Sequence, residues 1–177
     1  MLTLANRLTI LRILMTPVIT VLLLYRHIGI ALALFLLAGI TDGLDGFLAR
    51  SRKEKTTLGM VLDPVADKLL LMSAVVTLTI LKELPRWFAI IVVSRDVLLI
   101  GGSVILYMFL GKVAMPPTWL GKTTTGFQLI TVLAAMLDNF LPDIRSAILP
   151  LTLVTLILTA ASGVDYIVRG TRLMNDQ

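Results

Sequence analysis

Six long apolar runs, separated by short polar breaks, set the pattern of this chain. They cover residues 8–25, 28–49, 58–81, 87–110, 123–140 and 148–168. Each is near the roughly 20 residues with which an α-helix crosses a bilayer core. None alternates apolar and polar positions as membrane-barrel strands do. The breaks carry turn and helix-stop chemistry: Arg26-His27, the 51–55 segment, Leu84-Pro85-Arg86, Pro116-Pro117 and Leu141-Pro142-Asp143. The pattern predicts an all-α fold, an integral membrane bundle of six transmembrane helices with a short N-terminal interfacial segment. No internal repeat or second domain is visible, so residues 1–177 read as a single membrane domain.

Composition strengthens that reading. Hydrophobic residues make up 57% of the chain and charged residues 15%, where a soluble domain carries about a quarter charged. Cysteine is absent and His27 is the only histidine. That removes disulfides, thiolate metal sites, most zinc chemistry and the usual Ser-His or Cys-His pairs. The net charge of +5 fits basic loops against anionic headgroups, and no nucleic-acid partner is expected. Of the 16 basic residues, Arg26, Lys82, Arg86 and Arg145 fall in breaks on one side, and Arg12, Lys68 and Arg95 lie inside runs. The remaining nine fall on the side of the N-terminus. This bias predicts both termini on the cytoplasmic side; the expected location is a bacterial inner or cell membrane, with the active site also facing the cytoplasm. The first run leads straight into further spans without a signal-cleavage pattern.

The charges inside the runs change the picture from a membrane protein to a membrane protein with chemistry. The charge-free stretches 28–41, 69–81 and 97–111 are too short to span alone, so the helices must carry Asp42, Asp45, Asp63, Asp67, Lys68, Arg95 and Asp96 into or near the bilayer. A charge at the bilayer centre costs about 2.5–3.5 kcal/mol on insertion scales, and such residues normally face the bundle interior or a wet cavity. Snorkelling to the headgroups explains Arg26, Lys82 or Asp143 well. It explains four aspartates crowded onto two consecutive helices poorly.

Asp42 and Asp45 are three apart and Asp63 and Asp67 four apart, so each pair shares a helix face. The short connection between the helices predicts antiparallel neighbours whose cytoplasmic ends pool the four carboxylates. Like charges at close range repel, and divalent cations among them keep them ionised. An all-oxygen donor set suits Mg2+, Mn2+ or Ca2+, and paired metals serve in-line phosphoryl chemistry. Gly46, Ala49 and Gly59 stand four residues from Asp42, Asp45 and Asp63 in turn. Two readings of these small residues coexist: close helix packing, and room for a nucleotide beside the metals.

Taken together, Asp42, Asp45, Gly46, Ala49 and Arg50, then eight residues, then Gly59, Asp63 and Asp67 resemble the signature of the CDP-alcohol phosphatidyltransferase family, D-x-x-D-G-x-x-A-R…G-x-x-x-D-x-x-x-D. The likeness extends to Asn6-Arg7-Leu8-Thr9-x-x-Arg12 and to overall length, nearly the whole chain. It implies a two-metal site, Mg2+ or Mn2+, held by Asp42, Asp45 and Asp63 with Asp67 completing it. It also implies a CDP pocket at Gly46, Ala49, Arg50 and Gly59, and Asp67 as general base. The donor would be CDP-diacylglycerol, the leaving group CMP, and the assembly a homodimer. Direct displacement is expected, because no candidate nucleophile stands out.

Arg12, Arg95 and Lys122 are candidates for binding an anionic acceptor; for Arg95, pairing with neighbouring Asp96 or another bundle carboxylate is the plain alternative. The segment Trp119-Leu120-Gly121-Lys122-Thr123-Thr124-Thr125 resembles the G-K-x-K-T of bacterial phosphatidylglycerophosphate synthases, with Thr124 in place of the second Lys. Ser94-Arg95-Asp96 resembles the cardiolipin synthases of the same family. The expected acceptor is glycerol 3-phosphate, and phosphatidylglycerol is the alternative. Intramembrane aspartates also mark ion or proton transporters, but the inverted repeats and broken helices common there are missing. A purely structural protein would not account for the acidic cluster.

Overall fold

The computed structural model describes residues 4–52, 57–110 and 118–175, with side-chain surroundings for 8–41, 65–102, 118–141, 143–169 and 171. Among the described residues the chain forms six α-helices and no strand: α1 Leu4–Leu24, α2 Ile28–Arg52, α3 Thr57–Ile80, α4 Arg86–Leu110, α5 Trp119–Leu137 and α6 Arg145–Asn175. A 3-10 turn, Pro142–Ile144, leads into α6. These helices follow the six apolar runs, and Leu4–Arg7 form the first turn of α1 rather than a separate element. The Pro116-Pro117 break lies outside the described residues. The helices group into two compact units, Met1–Glu83 and Leu84–Gln177.

In the first unit α1 packs against both α2 and α3. Its buried stripe is Thr9, Arg12, Thr16, Ile19 and Leu23, spaced alternately three and four apart, the period that keeps one helix face on a neighbour. Facing it are Ile28, Ala31, Phe35 and Ala38 of α2, and Ala66, Leu70, Ala74 and Leu78 of α3. Small residues alternate with large ones, which lets the helices interdigitate.

The ends of α1 and α3 are built alike. His27 N–H donates to the Leu22 carbonyl and Arg26 N–H to Leu23, while Glu83 N–H donates to Leu78 and Lys82 N–H to Thr79. These are paired Schellman caps, which require a left-handed residue after the helix. Arg26 (φ 62°) and Lys82 (φ 66°) supply it without being glycine. Arg26 then crosses to the other cap, donating to the Glu83 carboxylate at 2.6 Å and the Leu81 carbonyl at 3.3 Å. Nearer the opposite ends, Arg12 of α1 meets Asp67 of α3. Two ties in the same order along both helices make α1 and α3 parallel, and the three-residue turn 25–27 makes α2 antiparallel to both.

In the second unit α6 packs against α4 and α5. The α5–α6 seam is polar. Thr124, Gln128 and Thr131 of α5, and Thr152, Thr155, Thr159 and Ser162 of α6, are all buried at helix-face spacing. The Thr131 and Thr155 hydroxyls lie 2.9 Å apart, and Thr124 Oγ1 reaches the Leu158 carbonyl at 3.1 Å. On the α4 side, a Cβ at Gly102 would meet the Tyr166 ring at 2.9 Å. Glycine there admits the ring, whose hydroxyl donates to the Leu99 carbonyl at 3.2 Å.

Candidate active site

The described part of the acidic site is Asp67 with its partner Arg12. Arg12 Nη1 donates to Asp67 Oδ1 at 3.2 Å. The two side chains differ sharply in environment: Arg12 is 1% exposed and Asp67 52% exposed. A buried guanidinium is expensive to desolvate and persists only where a carboxylate and further hydrogen bonds compensate it. The carboxylate it meets is open to an incoming group. A fixed cation behind an accessible carboxylate suits a general base or a cation ligand, because it holds the carboxylate in one orientation.

Asp42, Asp45, Gly46, Ala49 and Arg50 lie on α2, and Gly59 and Asp63 on α3; their side chains lie outside the described residues. Their levels along the helix axes follow from the caps. At 1.5 Å per residue, Asp67 sits about 20 Å from the end of α3 and Asp42 about 21 Å from the start of α2. By the same rise, Asp63 and Asp45 both sit about 26 Å from those same ends. Because the turn 25–27 and the α3 cap are tied together by Arg26, these distances run from one common end. The four positions therefore pair off by level, 42 with 67 and 45 with 63, and Arg12 lies about 18 Å from that end.

Whether these residues fit a metal turns on donor chemistry. The signature offers carboxylates and no imidazole or thiolate, a hard-oxygen set that fits Mg2+ or Mn2+. Among the described residues no three acidic or imidazole side chains cluster, since three of the four aspartates fall outside that set.

The other basic candidates lie in the second unit. Arg95 is buried, with Nη1 on Asp96 Oδ1 at 2.7 Å and Nη2 on Ser162 Oγ at 2.7 Å. The plain alternative for Arg95, pairing with Asp96, is realised: the guanidinium joins α4 to α6. Nη2 also lies 3.5 Å from where a Gly121 Cβ would stand, which places Arg95 against the first turn of α5. Thr118 caps that turn, accepting from Gly121 N–H at 3.0 Å. Lys122, the next residue, is exposed. The buried polar ladder of α5 and α6 was not singled out from sequence. The spacings 124-128-131 and 152-155-159-162 could have revealed it, because they repeat the core period with hydroxyls and an amide.

A family model described as CDP-alcohol phosphatidyltransferase matches residues 2–159, running through both units. The chain is 34% identical over 175 residues to a Mycobacterium tuberculosis protein named "Probable phosphatidylglycerophosphate synthase", covering 96% of this chain and 82% of that one. It is 30% identical over 176 residues to the CDP-diacylglycerol--glycerol-3-phosphate 3-phosphatidyltransferase of Aquifex aeolicus, covering 96% of each. Against the human cardiolipin synthase (CMP-forming) it is 35% identical, over 93% of this chain and 60% of that protein. With the family model spanning most of the chain and these relatives aligned over nearly all of it, this protein belongs to the CDP-alcohol phosphatidyltransferase family.

Proposed function

We propose that the chain transfers the phosphatidyl group of CDP-diacylglycerol to the primary hydroxyl of glycerol 3-phosphate, releasing CMP. The observation that carries this reading is the half-exposed Asp67 carboxylate held by buried Arg12, inside a signature whose four aspartate positions pair by level. Asp42, Asp45, Asp63 and Asp67 would hold two divalent cations, which when bound supply charge neutralisation at the diphosphate. Gly46, Ala49, Arg50 and Gly59 form the CDP pocket, with Arg50 on phosphate. Asp67 accepts the proton of the acceptor hydroxyl as its oxygen bonds to the phosphatidyl phosphorus and the bond to CMP breaks. Within the second unit, Lys122, exposed on the first turn of α5, and Arg95, which lies against that turn, are the candidates for the acceptor's phosphate.

The relatives named for glycerol 3-phosphate support this acceptor. A second reading, with phosphatidylglycerol as acceptor, is favoured by one observation. The Arg95 charge is offset by Asp96 at 2.7 Å, which weakens its pull on a small phosphorylated acceptor. Relatives named cardiolipin synthase accord with it.

The reading places all six helices across a membrane, with both termini and the site on the cytoplasmic side, both units acting as one domain, and a homodimer as the assembly. Its support is the outer faces: Leu14, Ile40, Ile80, Ile90 and Ile157 are all exposed, an arrangement suited to lipid and not to water. Among the described residues 145–169 is long and apolar enough to cross a membrane, and 8–24 and 28–41 are shorter apolar helices.

The deciding experiment is an acceptor panel. Purified protein in detergent receives radiolabelled CDP-diacylglycerol and, separately, glycerol 3-phosphate, phosphatidylglycerol, serine or inositol phosphate, with Mg2+ or with excess chelator. Label is expected to pass to glycerol 3-phosphate with Mg2+ only. Transfer to phosphatidylglycerol alone would select the second reading. Full activity in chelator, or no CMP release with any acceptor, would defeat both.

A further inference from the structure

We propose that Arg12 is a positioning residue for the reaction, acting on the acceptor through Asp67 and not by touching it. The inference rests on the proposed function, because it assigns Arg12 to the carboxylate that reading uses as base. Its starting point is where the side chain lies. Arg12 occupies one step of the α1 stripe between Thr9 and Thr16, a stripe completed by Ile19 and Leu23 and pressed against both α2 and α3. An unbranched apolar residue would fill that step without a desolvation penalty. A guanidinium that is 1% exposed has no open surface to offer a phosphorylated or lipid acceptor, and its charge costs several kcal/mol to bury unless a carboxylate compensates it.

The pair is asymmetric, and the asymmetry has a direction. The Arg12 stem is locked by the packing of three helices, so its planar fork is pre-organised. The Asp67 carboxylate is the partner that reaches the surface, at 52% exposure. Arg12 Nη1 holds Oδ1 from the buried side at 3.2 Å, which limits rotation of a carboxylate that must meet an incoming hydroxyl. Arg12 comes from α1 while Asp67 comes from α3, so the packing of these two parallel helices is what aims the base. A residue that orients a ligand or base is commonly worth about 10- to 100-fold in activity or metal affinity.

The test uses the full-length protein in detergent: wild type, Arg12→Gln, Arg12→Lys, Asp67→Asn, and each Arg12 variant combined with Asp67→Asn. CMP release gives kcat and the acceptor KM. Paramagnetic resonance of added Mn2+ gives a binding readout that does not depend on turnover. Arg12→Gln is expected to lower kcat about 10- to 100-fold with the acceptor KM unchanged, and Arg12→Lys to recover part of that loss. In the Asp67→Asn background neither Arg12 change should slow the enzyme further or alter Mn2+ affinity, whereas Arg12→Gln alone should weaken it. Losses that multiply in the double variant, or an acceptor KM that rises while kcat holds, would overturn the inference. Should Arg12→Gln not remain monodisperse, Arg12→Lys, which keeps the charge and loses the fork, carries the same comparison. An inactive wild-type protein defeats the proposed function and this inference with it; an active one with multiplying losses defeats this inference alone.

Discussion

At the residue scale the proposed function is tested first at Asp67, the described signature aspartate, which is half exposed and held by Arg12. A positioned general base typically contributes 10²- to 10⁴-fold. Asp67→Asn, which keeps size and removes the negative charge, is expected to lower kcat by at least about 100-fold. Unaltered elution in detergent size-exclusion chromatography would show that the fold survives, and turnover near wild type would remove Asp67 from the role. Lys82 offers a contrasting residue-scale test, since its backbone is left-handed at φ 66°. A non-glycine residue there costs about 1–2 kcal/mol, offset in part by the added chain entropy of glycine. Lys82→Gly should therefore raise the detergent thermal midpoint slightly, with no change in activity. A fall in the midpoint would mean that the lysine side chain holds the cap.

At the scale of elements, each unit is a three-helix set in which one helix contacts the other two: α1 in the first, α6 in the second. The two central helices are buried by different means. α1 meets its neighbours through two threonines, Ile19, Leu23 and the Arg12–Asp67 ion pair, whereas α6 meets α5 through threonines and a glutamine. Between apolar helices in lipid, burying further apolar surface yields little, so packing and interhelical hydrogen bonds carry the association. The Thr131–Thr155 contact at 2.9 Å is the direct test. A double-mutant cycle with Thr131→Val and Thr155→Val should return a coupling of about 0.6 kcal/mol, the usual size for such bonds in membrane bundles. Additive losses, measured by reversible unfolding in mixed detergent, would show that the two hydroxyls stabilise their own helices only. Each already bonds to a carbonyl one turn back, Thr131 to Phe127 and Thr155 to Leu151.

For the molecule as a whole, the described residues bury many polar side chains within a largely apolar core and leave many large aliphatics exposed. Among the described residues, the buried polar positions include Thr9, Arg12, Arg95, Asp96, Gln128 and eight further threonines or serines. A water-facing surface carrying that much apolar area would drive association or aggregation. The expected outcome is that the protein stays in the membrane pellet after alkaline carbonate washing and leaves it only with detergent. Recovery of a monodisperse protein in the wash supernatant would contradict the membrane reading.

Much of this was legible in sequence, for definable reasons. Apolar run length is set by the solvent the helices meet, so the six helices could be read directly, most ends within about four residues, although α6 continues to Asn175, seven residues past the last run. The signature aspartates were visible because carboxylates are rare inside apolar runs, and their i,i+3 and i,i+4 spacing defines a face without any tertiary information. The family followed from the same residues. The use made of the basic residues was legible only for Arg95, whose pairing with neighbouring Asp96 was one of two readings; its reach to Ser162 and the surroundings of Arg12 and Lys122 were not. Arg12, Arg95 and Lys122 look alike in a string of letters, yet one lies under Asp67, one binds Asp96 and Ser162, and one is exposed. Burial and partner choice depend on which helix faces which, a property of packing across 55 or more residues of chain. The same holds for the hydroxyl ladder of α5 and α6, whose threonines read locally as ordinary turn-back bonds until a second helix lies against them. Local chemistry determined which groups could act; only the meeting of distant helices decided which are held still, which are hidden, and which are left open to react.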